Sequence, residues 1–259
     1  MTATFTPADA EAFAAVLLGA RKPGAPRAAT PAKLPLTDAD AYMVQDIVRK
    51  TLGPTEGWKV GAANATSPPN CAPVLKGGII AAGSAGIPLS IPVPKPTGIE
   101  VEIAFRMAKA FPAAATAPSA EDILAGIGSA HVAMELCASR LADGPQAPPK
   151  ALLADSGMNL GFLMGPEVKD WRAVDAHKQV ARAWVDNKAA VEMTAGHTQK
   201  DLAALLVWLV GHVVTKRGGL PAGSVVATGS WTGMHWVDHA ANVAAEFPGV
   251  GRLEARLAM

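Results

Sequence analysis

The sequence predicts an α+β protein in which a helical N-terminal part, residues 1–54, precedes a β-rich body, residues 55–259. Three observations predict it. Two segments with helix-capping signals occupy the first fifty residues, short Gly- and Pro-punctuated segments rich in β-branched residues follow, and one long apolar helix stands late among them. With 259 residues, half of them apolar and 17% charged, the chain has material for one large core or two small ones.

The first helix opens at Thr6, with Pro7 in its first turn and Asp9 three residues on; the second opens at Thr37, with Asp40 in the same place. "RKPGAPRAATPAKLPL" joins them as a Pro-rich linker, and the second helix ends at Gly53-Pro54. Beyond it "GWKVGA", "GGIIAAG", "LSIPVP" and "IEVEIAFRMA" read as strands, "SAEDILAGIGSA" as a helix, and "HVAMELCA" and "NLGFLMG" as strands again. "ARAWVDNKAAVEMTAG" reads as a hairpin turning at Asp186-Asn187-Lys188. Thr198 and Asp201 predict a capping box for the long helix, an amphipathic core helix. Its Leu202, Leu205, Leu206, Leu209, Val210 and Val213 repeat at helical spacing, and Lys216, Arg217 and Gly218 close it. "SVVATGS", "NVAAEF" and "RLEARL" complete the strands.

Charge and cysteine usage narrow the partners. Lys and Arg number 23 against 22 Asp and Glu, and the resulting +1 supplies no broad basic field for a nucleic-acid backbone or an anionic membrane. A small molecule is the expected partner. Cys71 and Cys137 have no CxxC spacing and no histidine beside them, so neither a zinc site nor a disulfide framework is expected, and a cytoplasmic location follows. The start lacks a positively charged leader, and the longest apolar run, "LAALLVWLV", has about half the length a bilayer span needs.

"TGIEVEIAF", residues 97–105, sets Glu100 and Glu102 on one side of a strand, roughly 6.5–7 Å apart at the backbone. A solvent-facing edge strand explains such a pair. Glu135, in the apolar "HVAMELCASR", suggests instead that three carboxylates converge on one divalent cation; hard oxygen donors favour Mg²⁺ or Mn²⁺ over zinc.

The succession "LTDADAYMVQDIV", "GWKVG", "GIEVEIAF", "HVAMELCASR", "LADSGMNLGFLMG", "ALLVWLVGHVVTKRGGLPAGSVVATGSWTG" and "VAAEFPGVGRLEARL" resembles the 2-keto-4-pentenoate hydratase and 4-oxalocrotonate decarboxylase family, within the fumarylacetoacetate hydrolase superfamily. The resemblance covers nearly everything after residue 35. It implies a mixed β-roll with an N-terminal helical part, a Mg²⁺ or Mn²⁺ site made by Glu100, Glu102 and Glu135, a homo-oligomer, and 2-hydroxy-dienoate or 2-oxo-enoate substrates from aromatic meta-cleavage. Lys59 matches the family's active-site lysine, a partner for the substrate carboxylate and the developing oxyanion. Asp155 matches an acid suited to a proton relay or to orienting other groups. Thr228, Gly229 and Ser230 match a turn whose hydroxyls and amides face substrate. Addition of water is the implied reaction. Decarboxylation of a 2-oxo diacid, hydrolysis of an acylpyruvate and an inactive metal-binding partner subunit are the alternatives.

Two departures bear on the reaction. "GAANATSPPNCAPVLKGGII" carries Lys76, Gly77 and Gly78 where the family has an acidic pair, and Ser156, Gly157, Met158 and Asn159 replace Asn-Ala-Ser-Ser, with loss of hydroxyls. Of the remaining candidates, His235 and His239 read as loop residues rather than a metal pair, His131 as packed beside the Glu135 strand, His197 as a helix-entry residue and His212 as a member of the long helix. Trp171, Trp184 and Trp208 read as core or interface.

Overall fold

Both N-terminal helices form where their caps place them in the computed structural model, which describes residues 4–82, 89–199 and 201–259. They span Pro7–Ala20 and Asp38–Leu52, and in each box the threonine hydroxyl accepts the aspartate amide while the aspartate carboxylate accepts from the threonine amide. Ala10, Phe13 and Leu17 pack against Ala41, Val44 and Val48, in a cluster that also takes in Leu141 and the helix Pro149–Ala154.

Two sheets make the body. The larger runs in the order Asn70–Leu75, Thr55–Gly61, Val225–Ala227, Thr97–Met107, Ile127–Cys137, Asn159–Glu167, Ile79–Ala81, with His235–Val237 also paired to Thr97–Met107. Thr55–Gly61 with Val225–Ala227, and Ile79–Ala81 with Asn159–Glu167, are parallel; the other pairs are antiparallel. The fold is therefore α+β with a curled mixed sheet. The second sheet runs Lys188–Thr194, Val180–Val185, Ala241–Phe247, Gly251–Ala258, Leu89–Pro92. Its hairpin turns at Asp186 and Asn187, at φ 47° and 64°, with Lys188 already paired to Val185. Both central residues thus take the positive φ of a type I′ turn. Ile99, Val101, Ile103, Val132 and Met134 of the larger sheet share one core with Val243, Ala245, Leu253 and Leu257 of the smaller.

The structure corrects three expectations and adds one strand that none of them included. The long helix starts at Ala204, not behind a Thr198–Asp201 box, because Asp201 Oδ1 accepts the Ala203 amide at 2.9 Å in a local turn that competes with the cap. It is also not amphipathic, since no residue from Leu202 to Thr215 is exposed; its last turn, Val213–Arg217, is π-helical and ends at Gly218, φ 94°. Asn70–Leu75 is a strand that the departing segment conceals, and His235–Val237 is a strand rather than a loop. The "GGIIAAG" strand forms over Ile79–Ala81, and its Gly83 lies outside the described residues. No helix among the described residues is long and apolar enough to cross a membrane.

Candidate metal and substrate site

The antiparallel register of Thr97–Met107 and Ile127–Cys137 sets Glu100 opposite Glu135, Glu102 opposite Ala133 and Gly98 opposite Cys137. Alternation along both strands then puts Glu100, Glu102, Glu135 and Cys137 on one face, while Ile99, Val101, Met134 and Leu136 enter the core on the other. The pair is central in the sheet, and Glu102 and Glu135 are 2% and 0% exposed, which removes the solvent-facing edge as an explanation.

Glu100, Glu135 and Cys137 each bring a ligand atom within 4.8 Å of the others. Glu102 lies outside that set of three; its Oε2 accepts the Gly229 amide at 3.0 Å. Burial first, then the charge of Glu135, raises the carboxyls of Glu100 and Glu102 and the thiol of Cys137 above their ordinary pKa values.

Lys59 reaches this face from Thr55–Gly61, between the buried Trp58 and Val60. Its Nζ donates to Glu135 Oε1 at 2.6 Å and to the Gly157 carbonyl at 3.3 Å. Desolvation alone favours the neutral amine, but the charge of Glu135 above all outweighs it and raises the pKa, so the ammonium persists. One ammonium leaves the acids undercompensated. Glu135 Oε2 is buried without a hydrogen-bond partner among the described residues, whereas Oε1 takes both Lys59 and, at 2.8 Å, Asn159 Nδ2. An orphaned carboxylate oxygen amid like charges fits a divalent cation. The oxygen donors suit Mg²⁺ or Mn²⁺, and a thiol kept protonated by its surroundings is a poor ligand for either.

An irregular turn holds Lys59 and Glu135 in place. Ser156, Gly157 and Met158 take φ of 55°, 59° and 64°, three successive left-handed residues. Such backbone is unfavourable for side-chain-bearing residues and persists where its surroundings impose it, often at functional sites. The turn delivers the Gly157 carbonyl to Lys59 and the Asn159 amide to Glu135; a methyl on Gly157 would stand 3.4 Å from Lys59 Nζ.

The other anticipated residues are placed as follows. Asp155, 0% exposed, turns toward two arginines: Oδ2 accepts the Arg140 amide at 2.7 Å and the Ser139 hydroxyl at 3.0 Å, and Oδ1 lies 3.7 Å from Arg21 and 3.5 Å from Arg140. The Thr228 hydroxyl is engaged in the wall, donating to the Ile103 carbonyl at 3.0 Å. Ser230 Oγ is buried near Glu100, with no bond of ordinary geometry among the described residues. His239 pairs with Asp186 and Asp238 at the surface. Sequence reasoning missed Asn159 and Cys137 as members of the site. Cys137 was legible, two residues past Glu135 on the same strand face; Asn159 had only the signal of a polar residue opening an apolar strand.

Residues 61–258 match the sequence profile of the fumarylacetoacetate (FAA) hydrolase C-terminal family. No curated protein matches the sequence. Among solved structures, 4-oxalocrotonate decarboxylase from Pseudomonas putida G7, complexed with magnesium and adipate, is similar with a TM-score of 0.75 at 20% identity, over 98% of this chain and 99% of that one. Fumarylpyruvate hydrolase from Pseudomonas aeruginosa, in complex with Mn²⁺ and pyruvate, gives 0.54 at 14% over 78% and 88%. 2-Hydroxyhepta-2,4-diene-1,7-dioate isomerase from Mycobacterium marinum gives 0.55 at 17% over 80% and 76%. At these identities the likeness is one of fold.

Proposed function

Because the chain belongs to the fumarylacetoacetate hydrolase family, we propose that it is a divalent-metal-dependent lyase adding water to a short 2-hydroxy-dienoate or 2-oxo-enoate. One observation carries the reading: an ammonium, Lys59, held 2.6 Å from Glu135 on a buried face otherwise made of acids and a thiol. Glu100 and Glu135, with Glu102 beside them, would hold Mg²⁺ or Mn²⁺, which when bound supplies Lewis acidity toward the carboxylate and keto oxygens of a 2-oxo acid.

The chain's own residues account for the rest. Lys59 binds the substrate carboxylate and keeps positive charge beside the C2 oxygen as it gains enolate character. Asn159 orients Glu135, and the Gly229 amide fixes Glu102, so the acids present a constant face. Ser230 offers a hydroxyl to substrate or water, while Thr228 shapes the wall. Asp155 acts from behind as a positioning residue for the arginines. Solved relatives in fold with magnesium and adipate, and with Mn²⁺ and pyruvate, support a small carboxylic acid beside a divalent ion.

Decarboxylation of a 2-oxo diacid is the second reading, favoured by residues 62–82, which contain no Asp or Glu. That segment offers no carboxyl to move a proton for water addition, whereas loss of CO₂ asks first for an electron sink at C2. Product analysis separates the readings. Incubation with 2-hydroxypenta-2,4-dienoate, 2-oxohex-3-enedioate or an acylpyruvate, each with Mg²⁺ or Mn²⁺, is expected to give a hydroxylated keto acid from the dienoate. Evolved CO₂ from the diacid establishes the second reading, acylpyruvate cleavage a hydrolase, and no turnover of any substrate contradicts an enzyme.

A further inference from the structure

A cleft of ≈ 490 Å³ lies beside the acidic face, between the end of the first helix and the body. Arg21, Arg27, Lys76 and Arg140 line it together with Ser156 and Asn159, and no Asp or Glu does. Arg21 is the residue that ends the first helix, and its side chain is 15% exposed. Its Nε and Nη2, the two donors along one edge of the guanidinium, are buried without a hydrogen-bond partner among the described residues. Arg140 is 9% exposed and donates to the carbonyls of Ala138 and Asn159. The nearby carboxylate, Asp155, forms an ion pair with Arg21 but no hydrogen bond: Oδ1 lies 3.7 Å from Nη2 and is itself without a hydrogen-bond partner among the described residues, and Oδ2 is taken by Arg140 and Ser139. Two guanidinium groups thus face one carboxylate.

Burial first, then the charge of Arg140, draws the Arg21 pKa down to about 9, the mark of a cation short of partners. A buried donor edge left unpaired is unfavourable, and an edge of two parallel N–H groups matches the two oxygens of a carboxylate. The cleft also shares its wall with the acidic face. Asn159 lines it and donates to Glu135, and Ser156 lines it one residue before the carbonyl that holds Lys59.

We propose that Arg21 and Arg140 form a carboxylate-binding subsite that takes the second carboxylate of the substrate, so that the N-terminal helical part supplies a specificity-determining residue to a site otherwise built by the body. The inference rests on reading the acidic face as a 2-oxo acid site; of the two readings above it favours the second, whose substrate carries a carboxylate at its far end.

Calorimetric titration in Mg²⁺ with 2-oxoadipate and with 2-oxohexanoate, equal in chain length, tests it. The wild-type protein is expected to bind the diacid roughly tenfold to a hundredfold more tightly, the scale of a charge-assisted pair. Arg21→Met should erase the preference and Arg21→Lys keep part of it, since the charge stays and the paired donors go. Equal affinities in the wild type, which needs no mutation, or a preference that survives Arg21→Met, would overturn the subsite. Absence of Mg²⁺-dependent binding by both ligands would instead overturn the proposed function. Adipate against hexanoate without metal then decides the subsite alone: Arg21-dependent binding of adipate upholds it, and none overturns it. Acetate binding with the same Arg21 dependence, without any preference for the diacid, would mark a site for free carboxylate and overturn the assignment to substrate.

Discussion

On the face shared by Thr97–Met107 and Ile127–Cys137, three glutamates and a thiol are set against one ammonium; in the adjoining cleft, two buried guanidinium groups are set against one carboxylate. The charges are opposite and the imbalance is the same in kind. Each region keeps a buried polar group without a hydrogen-bond partner among the described residues, Glu135 Oε2 in one and the Nε–Nη2 edge of Arg21, ion-paired to Asp155 at 3.7 Å, in the other. Uncompensated buried charge is unfavourable unless a ligand of opposite sign completes it, so the pair together outlines a ligand: a cation at one end, an anionic group at the other. The two differ in construction. Adjacent paired strands hold the acids, whereas the end of a helix and a loop distant from it in sequence bring the arginines together.

Loss of an acid is expected to have the largest effect. Glu135→Gln removes the carboxylate that Lys59, Asn159 and the proposed cation share, and should lower turnover by at least about a thousandfold. Circular dichroism should show the fold intact, because a neutral isostere also relieves repulsion from Glu100. Lys59→Met is next, with kcat lower by roughly a hundredfold to a thousandfold, the scale of one oxyanion donor. Metal affinity in that variant should stay constant or tighten, since a competing positive charge has gone. Near-normal kinetics would make Lys59 a structural partner of Glu135 only.

The acidic face is also linked to pH. Glu100 and Glu102 have folded pKa values above the ordinary 4.5, so their contribution to stability is present below about pH 4.5 and is lost as pH rises through the folded values. Mg²⁺ favours the ionised forms. Thermal unfolding of metal-free protein should therefore lose stability as pH rises above about 4.5 relative to metal-loaded protein, and Mg²⁺ binding should release protons wherever these carboxyls are still partly protonated, read as a dependence of the binding heat on buffer ionisation. The smallest effect is expected from Gly157→Ala, which forces a side chain into φ 59° at about 1–2 kcal/mol of stability and presses on Lys59. A few-fold loss in kcat with unchanged metal affinity is the expected outcome.

The construction of the two regions explains what the sequence could disclose. Both capped helices, the hairpin and the strands that carry the acids were legible because capping and alternation are local rules. Glu100 and Glu102 shared one face by period two, the same rule carries Glu135 on to Cys137, and the register of the two strands brings the two pairs together. The Thr198–Asp201 box was misread because the short-range bond from the Ala203 amide to Asp201 competes with it. Asn159 depends on three left-handed residues, two of which are not glycine, a conformation no spacing announces. The arginine cleft was illegible for a stronger reason. Arg21 and Arg140 belong to different segments whose meeting is decided by the packing of the N-terminal helices against Leu141 and Pro149–Ala154.

Calorimetric titration of Mg²⁺ into metal-free wild-type and Glu135→Gln proteins, each with and without a saturating 2-oxo acid, tests the central claim most directly. A single site is expected in the wild type, tightened by the 2-oxo acid and abolished or at least about a hundredfold weaker in Glu135→Gln. Mg²⁺ binding of equal strength in the two proteins, indifferent to the 2-oxo acid, would contradict it.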